Sequence, residues 1–205
     1  MTKRLESKFR VYKKLSKNYN NIWGLPKGEY LRCSKNGSKK KKKASVYGNL
    51  LKVKQSLRYF YCNMQERSFK RILKQSVNSP LTTLDRFVSF LESRLDVVLF
   101  RSCFASSLHK SRQMINHGHI LVNGKRVRNP STNLSKLDIV EVDKTMEYGA
   151  SVLNNIKINF SSRFVPAHLE IDYKTLSVIF LWDPNFEGTY YPIKANYEII
   201  QRFYK

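Results

Sequence analysis

The chain has 205 residues, 41% of them hydrophobic and 26 of them aromatic, which is enough apolar surface for one or two packed domains and too much for a simply disordered polymer. Its 38 Lys and Arg outweigh 15 Asp and Glu, and the resulting net charge of +23 goes far beyond what solubility needs and implies a polyanionic partner. No apolar run approaches the roughly 20 residues of a membrane-spanning helix, and no apolar core follows the basic start as in a secretory signal, so a soluble interior protein with no membrane partner is expected.

The charge is graded along the chain. Residues 1–44 carry +13, residues 45–80 carry +6, residues 81–145 carry +4, and residues 146–205 are neutral, so contacts with a polyanion should concentrate toward the N-terminal half. Cys33, Cys62 and Cys103 are odd in number and widely spaced, which supports neither a disulfide framework nor a zinc knuckle and fits a reducing compartment.

Residues 1–44 are rich in Lys, Asn, Ser and Gly and end in the five-lysine block Lys39 to Lys43. Such a tract does not fold alone; it is expected to order on phosphates, the alternative being a solvated tail. From Ser45 to Gln75 the apolar positions Leu50, Leu51, Leu57, Phe60 and Tyr61, then Phe69, Ile72 and Leu73, predict two helices joined near Cys62-Asn63. Val77 to Pro80 is read as a linker, since the residue before proline is driven out of the helical region. A helix then starts near Leu84 and leads straight into the stretch Glu92 to Asp143, the centre of the chain.

Leu91, Leu95, Val98 and Leu99 recur at helical spacing, and Arg94 and Arg101 fall seven apart on another face, where they are expected to meet solvent. Ser106 or Ser107 can cap a second short helix that runs to Asn116 and His117, buries Leu108, Met114 and Ile115, and stops at Gly118. His109, Lys110, Arg112 and His117 occupy its remaining arc. Asn123-Gly124 is a strong hairpin signal, because a two-residue type I′ turn needs positive φ at both positions, and it brings Lys125 and Arg126 out at the tip. Asp138 to Val142 alternates as a closing strand. Residues 144–167 show weak periodicity and are read as loop with one short helix. Leu169, Ile171 and Tyr173, then Leu176, Val178 and Phe180, predict a second hairpin ended by an Asp183-Pro184-Asn185 turn. The tail offers Asn196 as a cap for a brief turn and then a β-rich run from Ile199 to Tyr204, a neutral ending suited to packing or a protein neighbour.

Several of these segments occur together, in the same order, in a known family. SVYGNLLKVKQSLRYFY, LESRLDVVLFR, SLHKSRQMINHGHILVNGKRV and PIKANYEIIQRFYK together resemble the S-four family of small-ribosomal-subunit proteins over about Ser45 to Lys205. The resemblance implies a primary rRNA-binding protein that docks on a helix junction, nucleates small-subunit assembly and helps line the mRNA entrance. Its partners would be small-subunit rRNA, neighbouring small-subunit proteins met through the C-terminal part, and mRNA, with no cofactor and no small-molecule substrate. Many members place four zinc-binding cysteines near the N-terminus, where this chain has only Cys33, so no metal is expected. His109, His117 and His119 do not change that, since no carboxylate or thiol stands at ligand spacing from them. The ending HLEIDYKTLSVIFLW is most similar to mitochondrial members, and mitochondrion is preferred to plastid or bacterial cytoplasm.

The fold class expected is α+β: a basic extension (1–44), a helical and strand body (45–91 and 146–205), and an inserted two-helix plus hairpin RNA-binding module of the alpha-L type (92–145). The candidate RNA-binding residues of the extension are Lys8, Arg10, Lys13, Lys14, Lys39, Lys40, Lys41, Lys42 and Lys43. Those of the first helix are Tyr47, Lys52, Lys54, Gln55 and Arg58. Those of the module are Arg94, Lys110, Arg112, His117, His119, Asn123, Lys125 and Arg126. The rivals are an RNA-modifying enzyme and a free-standing RNA chaperone built on the same module. Against the enzyme, the 91 residues before the module and the 62 after it show neither a glycine-rich nucleotide loop nor a convergent acid, base and nucleophile set. Arg94-Leu95-Asp96 superficially matches a synthase tripeptide, but the apolar helix that follows makes Asp96 structural.

Overall fold

The computed structural model describes residues 45–79, 82–143, 146–159, 163–191, 200 and 204. Among the described residues two compact units emerge, one of 45–71 with Tyr191, Ile200 and Tyr204 and one of 72–190.

The first unit begins with helix α1, Val46–Phe60, whose N-terminus is capped by the Ser45 hydroxyl accepting from the Gly48 N–H at 3.1 Å. Val53, Leu57 and Phe60, four and three residues apart, are its buried apolar stripe. Cys62 and Asn63 follow at φ of 58° and 51°, and two consecutive left-handed residues end the helix as the sequence led one to expect. Helix α2, Glu66–Val77, follows; its first half belongs to this unit and buries Phe69, while Leu73, also buried, falls beyond the division at Arg71. Within this unit Phe60 and Tyr61 meet edge to face at 5.0 Å, and the Tyr61 hydroxyl shares a 2.6 Å hydrogen bond with that of Tyr191. The tail's described positions are Tyr191, Ile200 and Tyr204; Ile200 is helical and buried, so the strand expected through it is not found there.

The second unit packs four helices and a five-stranded antiparallel sheet into an α+β core. Helix α3 is Thr83–Glu92 and α4 is Leu95–Arg101, followed by α5, Leu108–Asn116. The strands are β1 Ile120–Val122, β2 Lys125–Arg126, β3 Ile139–Val142, β4 Leu169–Asp172 and β5 Ser177–Phe180, in the order β2-β1-β3-β5-β4. Helix α6, Met146–Asn159, falls between β3 and β4. Pairing of Ile139 with Ile179 and of Val140 with Val178 joins the C-terminal hairpin to the module's closing strand, so a single sheet serves both. Leu95, Leu99, Met114, Ile115 and Ile120 are fully buried in one core with Val140, Val178 and Phe180. Each such side chain contributes about 1.5–3 kcal/mol by leaving water.

Three expectations need correction. The helix from Leu84 does not run on into the module: at Arg94 the backbone is extended and bridged to Asn133, while the Ser93 carbonyl accepts from the Leu134 N–H at 2.8 Å. The strand-like pairing interrupts the helical ladder, so Leu91 and Leu95 belong to different helices. Residues 146–159 form a full helix, because Val152 and Ile156, four residues apart, reach the core. Lastly, the turn after β5 falls at residues 186–188 instead of 183–185, since the Asp85 carboxylate holds the Phe186 N–H at 3.0 Å and Asp183 pairs with Arg86 at 3.5 Å.

Candidate nucleic-acid interface

The surface is built on α5. Ser107 is its N-cap, its hydroxyl accepting from the Lys110 N–H at 3.2 Å, and Gly118 closes it at φ +78°. Leu108, Ser111, Met114 and Ile115 are buried, which leaves His109, Lys110, Arg112 and His117 on the outward arc, as read from the sequence. The β1–β2 turn follows the Asn-Gly rule, with Asn123 at φ 49° and Gly124 at φ 75°. Lys125 and Arg126 are exposed beyond it.

Helix end and hairpin converge at Gly118. A Cβ there would stand 3.2 Å from Arg126 Cδ and 3.5 Å from Arg128 Nε, so two arginine side chains lie across the helix-to-strand turn, close against the bare glycine. The His117 and His119 rings flank the same turn, 6.0 Å apart. Partial burial, followed by the His117 ring, Arg126 and Lys110, pushes the His119 imidazole below its ordinary value against the opposing pull of Asp143. Arg126 reaches Asp143 at 3.0 Å yet keeps 55% of its side chain exposed, so water and other anions still have access to it. His117, His119, Arg126 and Arg128 thus gather at one turn, with Lys110 near enough to act on His119 through its charge. Arg128 was missed in the sequence, although Arg126 and Arg128 lie two residues apart, the period that puts neighbours on one side of an extended chain.

Other candidates turn inward. Arg94 is buried instead of facing solvent: its Nε and Nη2 donate to the two Asp96 oxygens at 3.0 and 2.7 Å, and Arg112 also approaches Asp96, at 3.7 Å. Arg101, the other arginine expected outside, forms a buried fork on Glu92 at 3.0 and 2.8 Å and donates to the Tyr190 carbonyl at 2.8 Å. Both are explained by a carboxylate that folding brings within bidentate reach. Asn123 is taken up by the turn, its amide donating to Asp138 at 2.9 Å and accepting from the Ile139 N–H at 2.9 Å.

In the first unit Lys54 and Arg58 converge on Glu66, at 3.0 and 2.7 Å, and the Tyr204 hydroxyl donates to the same carboxylate. Lys54 is buried and Arg58 half-buried, whereas Tyr47 is exposed and Lys52 and Gln55 are half-exposed on α1. Lys8, Arg10, Lys13, Lys14 and the block Lys39 to Lys43 lie outside the described residues. Among the described residues no group of three or more His, Cys, Asp or Glu can hold a metal ion, and no helix is long and apolar enough to cross a membrane.

Residues 93–140 match the family model of the S4 domain, a span that opens at the α3–α4 break and takes in α4, α5, the hairpin and the start of β3. Over the full length the chain is 32% identical to the small ribosomal subunit protein uS4 of Ruegeria sp. (strain TM1040), across 208 aligned residues covering 100% of this chain and 98% of that one. It is 33% identical to the uS4 protein of Phenylobacterium zucineum (strain HLK1) and 31% to that of Caulobacter vibrioides (strain NA1000 / CB15N), each covering 100% of this chain and 99% of the relative. The chain belongs to the uS4 family of small ribosomal subunit proteins. As a uS4 member it is a structural ribosomal protein and not an enzyme, so the RNA-modifying reading does not hold. The S4 domain match spans the residues around Gly118, while β4 and β5, outside that match, extend its sheet.

Proposed function

We propose that this chain binds small-subunit rRNA at a helix junction, with α5 and the β1–β2 hairpin as the docking face and phosphate oxygens as the principal targets. The observation that carries this is the gathering of His117, His119, Arg126 and Arg128 at one turn of an S4 domain, with Lys110 on the exposed arc of the helix that leads into it. A-form RNA hides its base edges in a deep groove, so a rigid cationic face reads the shape of the backbone. Arg112 and Lys125 extend this face, while Tyr47, Lys52 and Gln55 offer further contacts on α1. The segment 1–44, with Lys8, Arg10, Lys13, Lys14 and Lys39 to Lys43, adds electrostatic attachment through its +13 charge. Binding of this kind nucleates subunit assembly, leaves the neutral C-terminal part to protein neighbours, and puts the basic surface near the mRNA entrance.

The test is the affinity of the full chain for an rRNA fragment carrying the junction, across a series of potassium chloride concentrations. A steep linear fall of log affinity with log salt is expected, with the junction preferred to a plain duplex of equal length. Affinity that hardly changes with salt, or no preference for the junction, would overturn the reading. We locate the ribosome in the mitochondrion, on the likeness of HLEIDYKTLSVIFLW to mitochondrial members. Cosedimentation of the chain with plastid or bacterial ribosomes instead of mitochondrial ones would reject that assignment.

A further inference from the structure

Arg163 lies between α6 and β4, more than forty residues beyond α5, yet its guanidinium closes on the loop that leads into that helix. Nη1 donates to the Ala105 carbonyl at 2.8 Å, and Nη2 donates to the Ser106 carbonyl. The guanidinium carbon stands 4.5 Å from the centroid of the Phe100 ring. These two carbonyls belong to consecutive residues immediately before Ser107, the cap that fixes the first turn of α5. The chain passes from core to surface at this point, since Phe104 and Ala105 are fully buried and Ser106 is exposed. A planar fork can satisfy two adjacent acceptors while lying on an aromatic face; a lysine ammonium, a point charge on a flexible stem, cannot hold all three. The Cys103 N–H donates to the Phe100 carbonyl and the Ala105 N–H to the Leu99 carbonyl, so these two donors of the loop are turned inward.

We propose that Arg163 is a positioning residue for RNA binding: by gripping the Ala105 and Ser106 carbonyls it fixes where α5 starts and how it points, so that Lys110 and Arg112 meet phosphate already aligned. It contacts no phosphate itself. The inference rests on the reading of α5 as part of the RNA-docking face. Burial holds the Arg163 guanidinium below its ordinary value, in keeping with a cation turned toward the protein.

The test uses the full chain, with Arg163→Gln and Arg163→Lys each made in the parent and in a Lys110→Gln/Arg112→Gln background. Two quantities are read: hydrogen exchange at the Lys110 amide, which the Ser107 cap protects, and affinity for the rRNA junction fragment. Arg163→Gln should speed exchange at Lys110 several-fold while amides of the β1–β3 pairing keep their protection, with Arg163→Lys intermediate. Affinity should fall about five- to tenfold in the parent background and hardly at all in the doubly substituted one, because coupled residues are not additive. Equal loss in both backgrounds would make Arg163 an independent contributor and overturn the proposal, as would unchanged exchange at Lys110. If the Lys110→Gln/Arg112→Gln protein bound RNA like the parent, the α5 docking face itself would fail; faster exchange at Lys110 would then still uphold the grip of Arg163 on the helix.

Discussion

Two pairs of arginines in the same unit have opposite fates. Arg94, just before α4, and Arg101, its last residue, are 7% and 6% exposed, each forked onto a carboxylate, Asp96 and Glu92, that is itself nearly inaccessible. Arg126 and Arg128, at the hairpin, lie over a glycine turn in contact with solvent, and the Arg126 pair with Asp143 is a surface pair. The positive charge is the same in each case. What differs is whether folding brings a carboxylate into bidentate reach before an outside anion can compete. At the α3–α4 break it does, and the arginines become internal cross-links. At the hairpin the cation stays hydrated and can exchange its partner for phosphate at little cost.

The largest effect should come from the internal pair. Arg101→Met removes the fork from a carboxylate that is 0% exposed and should cost about 3–5 kcal/mol, read as a lower urea midpoint. Replacing Glu92 and Arg101 together by apolar residues of similar volume should restore most of that loss. A single Arg101 variant within about 1 kcal/mol of the parent would sink the comparison at its buried end.

His168 sharpens the same end. It is 3% exposed, its ring meets Phe180 edge to face at 5.7 Å, and its Nε2 finds no hydrogen-bond partner among the described residues. Burial pushes its imidazole from 6.5 to about 4, with Glu92 pulling upward and Arg101 downward. The unfolded chain therefore binds this proton more readily than the folded one between those two values. Stability rises with pH across that window, so on acidification from about pH 6.5 toward 4 the fold should lose on the order of 2 kcal/mol through this residue. His168→Phe should flatten the curve there; an unchanged curve would mean that the buried ring does not titrate as described.

At the exposed end, Arg126→Gln with Arg128→Gln should leave stability within about 0.5 kcal/mol of the parent. The same double change should lower affinity for the rRNA junction roughly tenfold and remove about two counterions' worth of salt slope. A large loss of stability with an unchanged salt slope would reverse the roles assigned to the two regions.

The exposed region was the more legible in the sequence, for a physical reason. Capping by Ser107, the stop at Gly118, the Asn123-Gly124 turn and the alternation of β3 are local rules acting over a few residues, and each appears in the structure where expected. The fates of Arg94 and Arg101 depend on non-local events: a bridge from Arg94 to Asn133 breaks a helix that periodicity runs straight through, and only then do Asp96 and Glu92 come within range. The pairing of Lys54 and Arg58 is equally non-local, because Glu66 gathers them from across a turn together with Tyr204. Helix α6 was hidden by sparse evidence, since its core contribution rests on Val152 and Ile156 and the flanking glycine and paired asparagines blur the period. Arg128 was visible in principle as the second member of an alternating pair, but nothing in the sequence alone showed that the space above Gly118 would bring both arginines together.

The smallest effect concerns His119, and it tests whether the exposed cluster responds to an outside anion. In the free chain, partial burial and then its neighbours His117, Arg126 and Lys110 hold the His119 imidazole below its ordinary value, with Asp143 opposing them. An RNA phosphate among these groups would offset their positive field and favour the protonated ring, so the bound state should have the higher pKa. Protons are then taken up on binding between the free and bound values, and linkage requires affinity to tighten as pH falls through that interval. Because the free ring already titrates below the ordinary imidazole value, the gain in junction affinity should be modest and should appear on the acid side of neutrality. His119→Gln should abolish most of this dependence, and Arg126→Gln should shrink it by removing part of the field that phosphate reverses. The cluster would lose its claim to the RNA backbone at this turn if affinity were flat in pH, or if the His119→Gln protein kept the whole dependence.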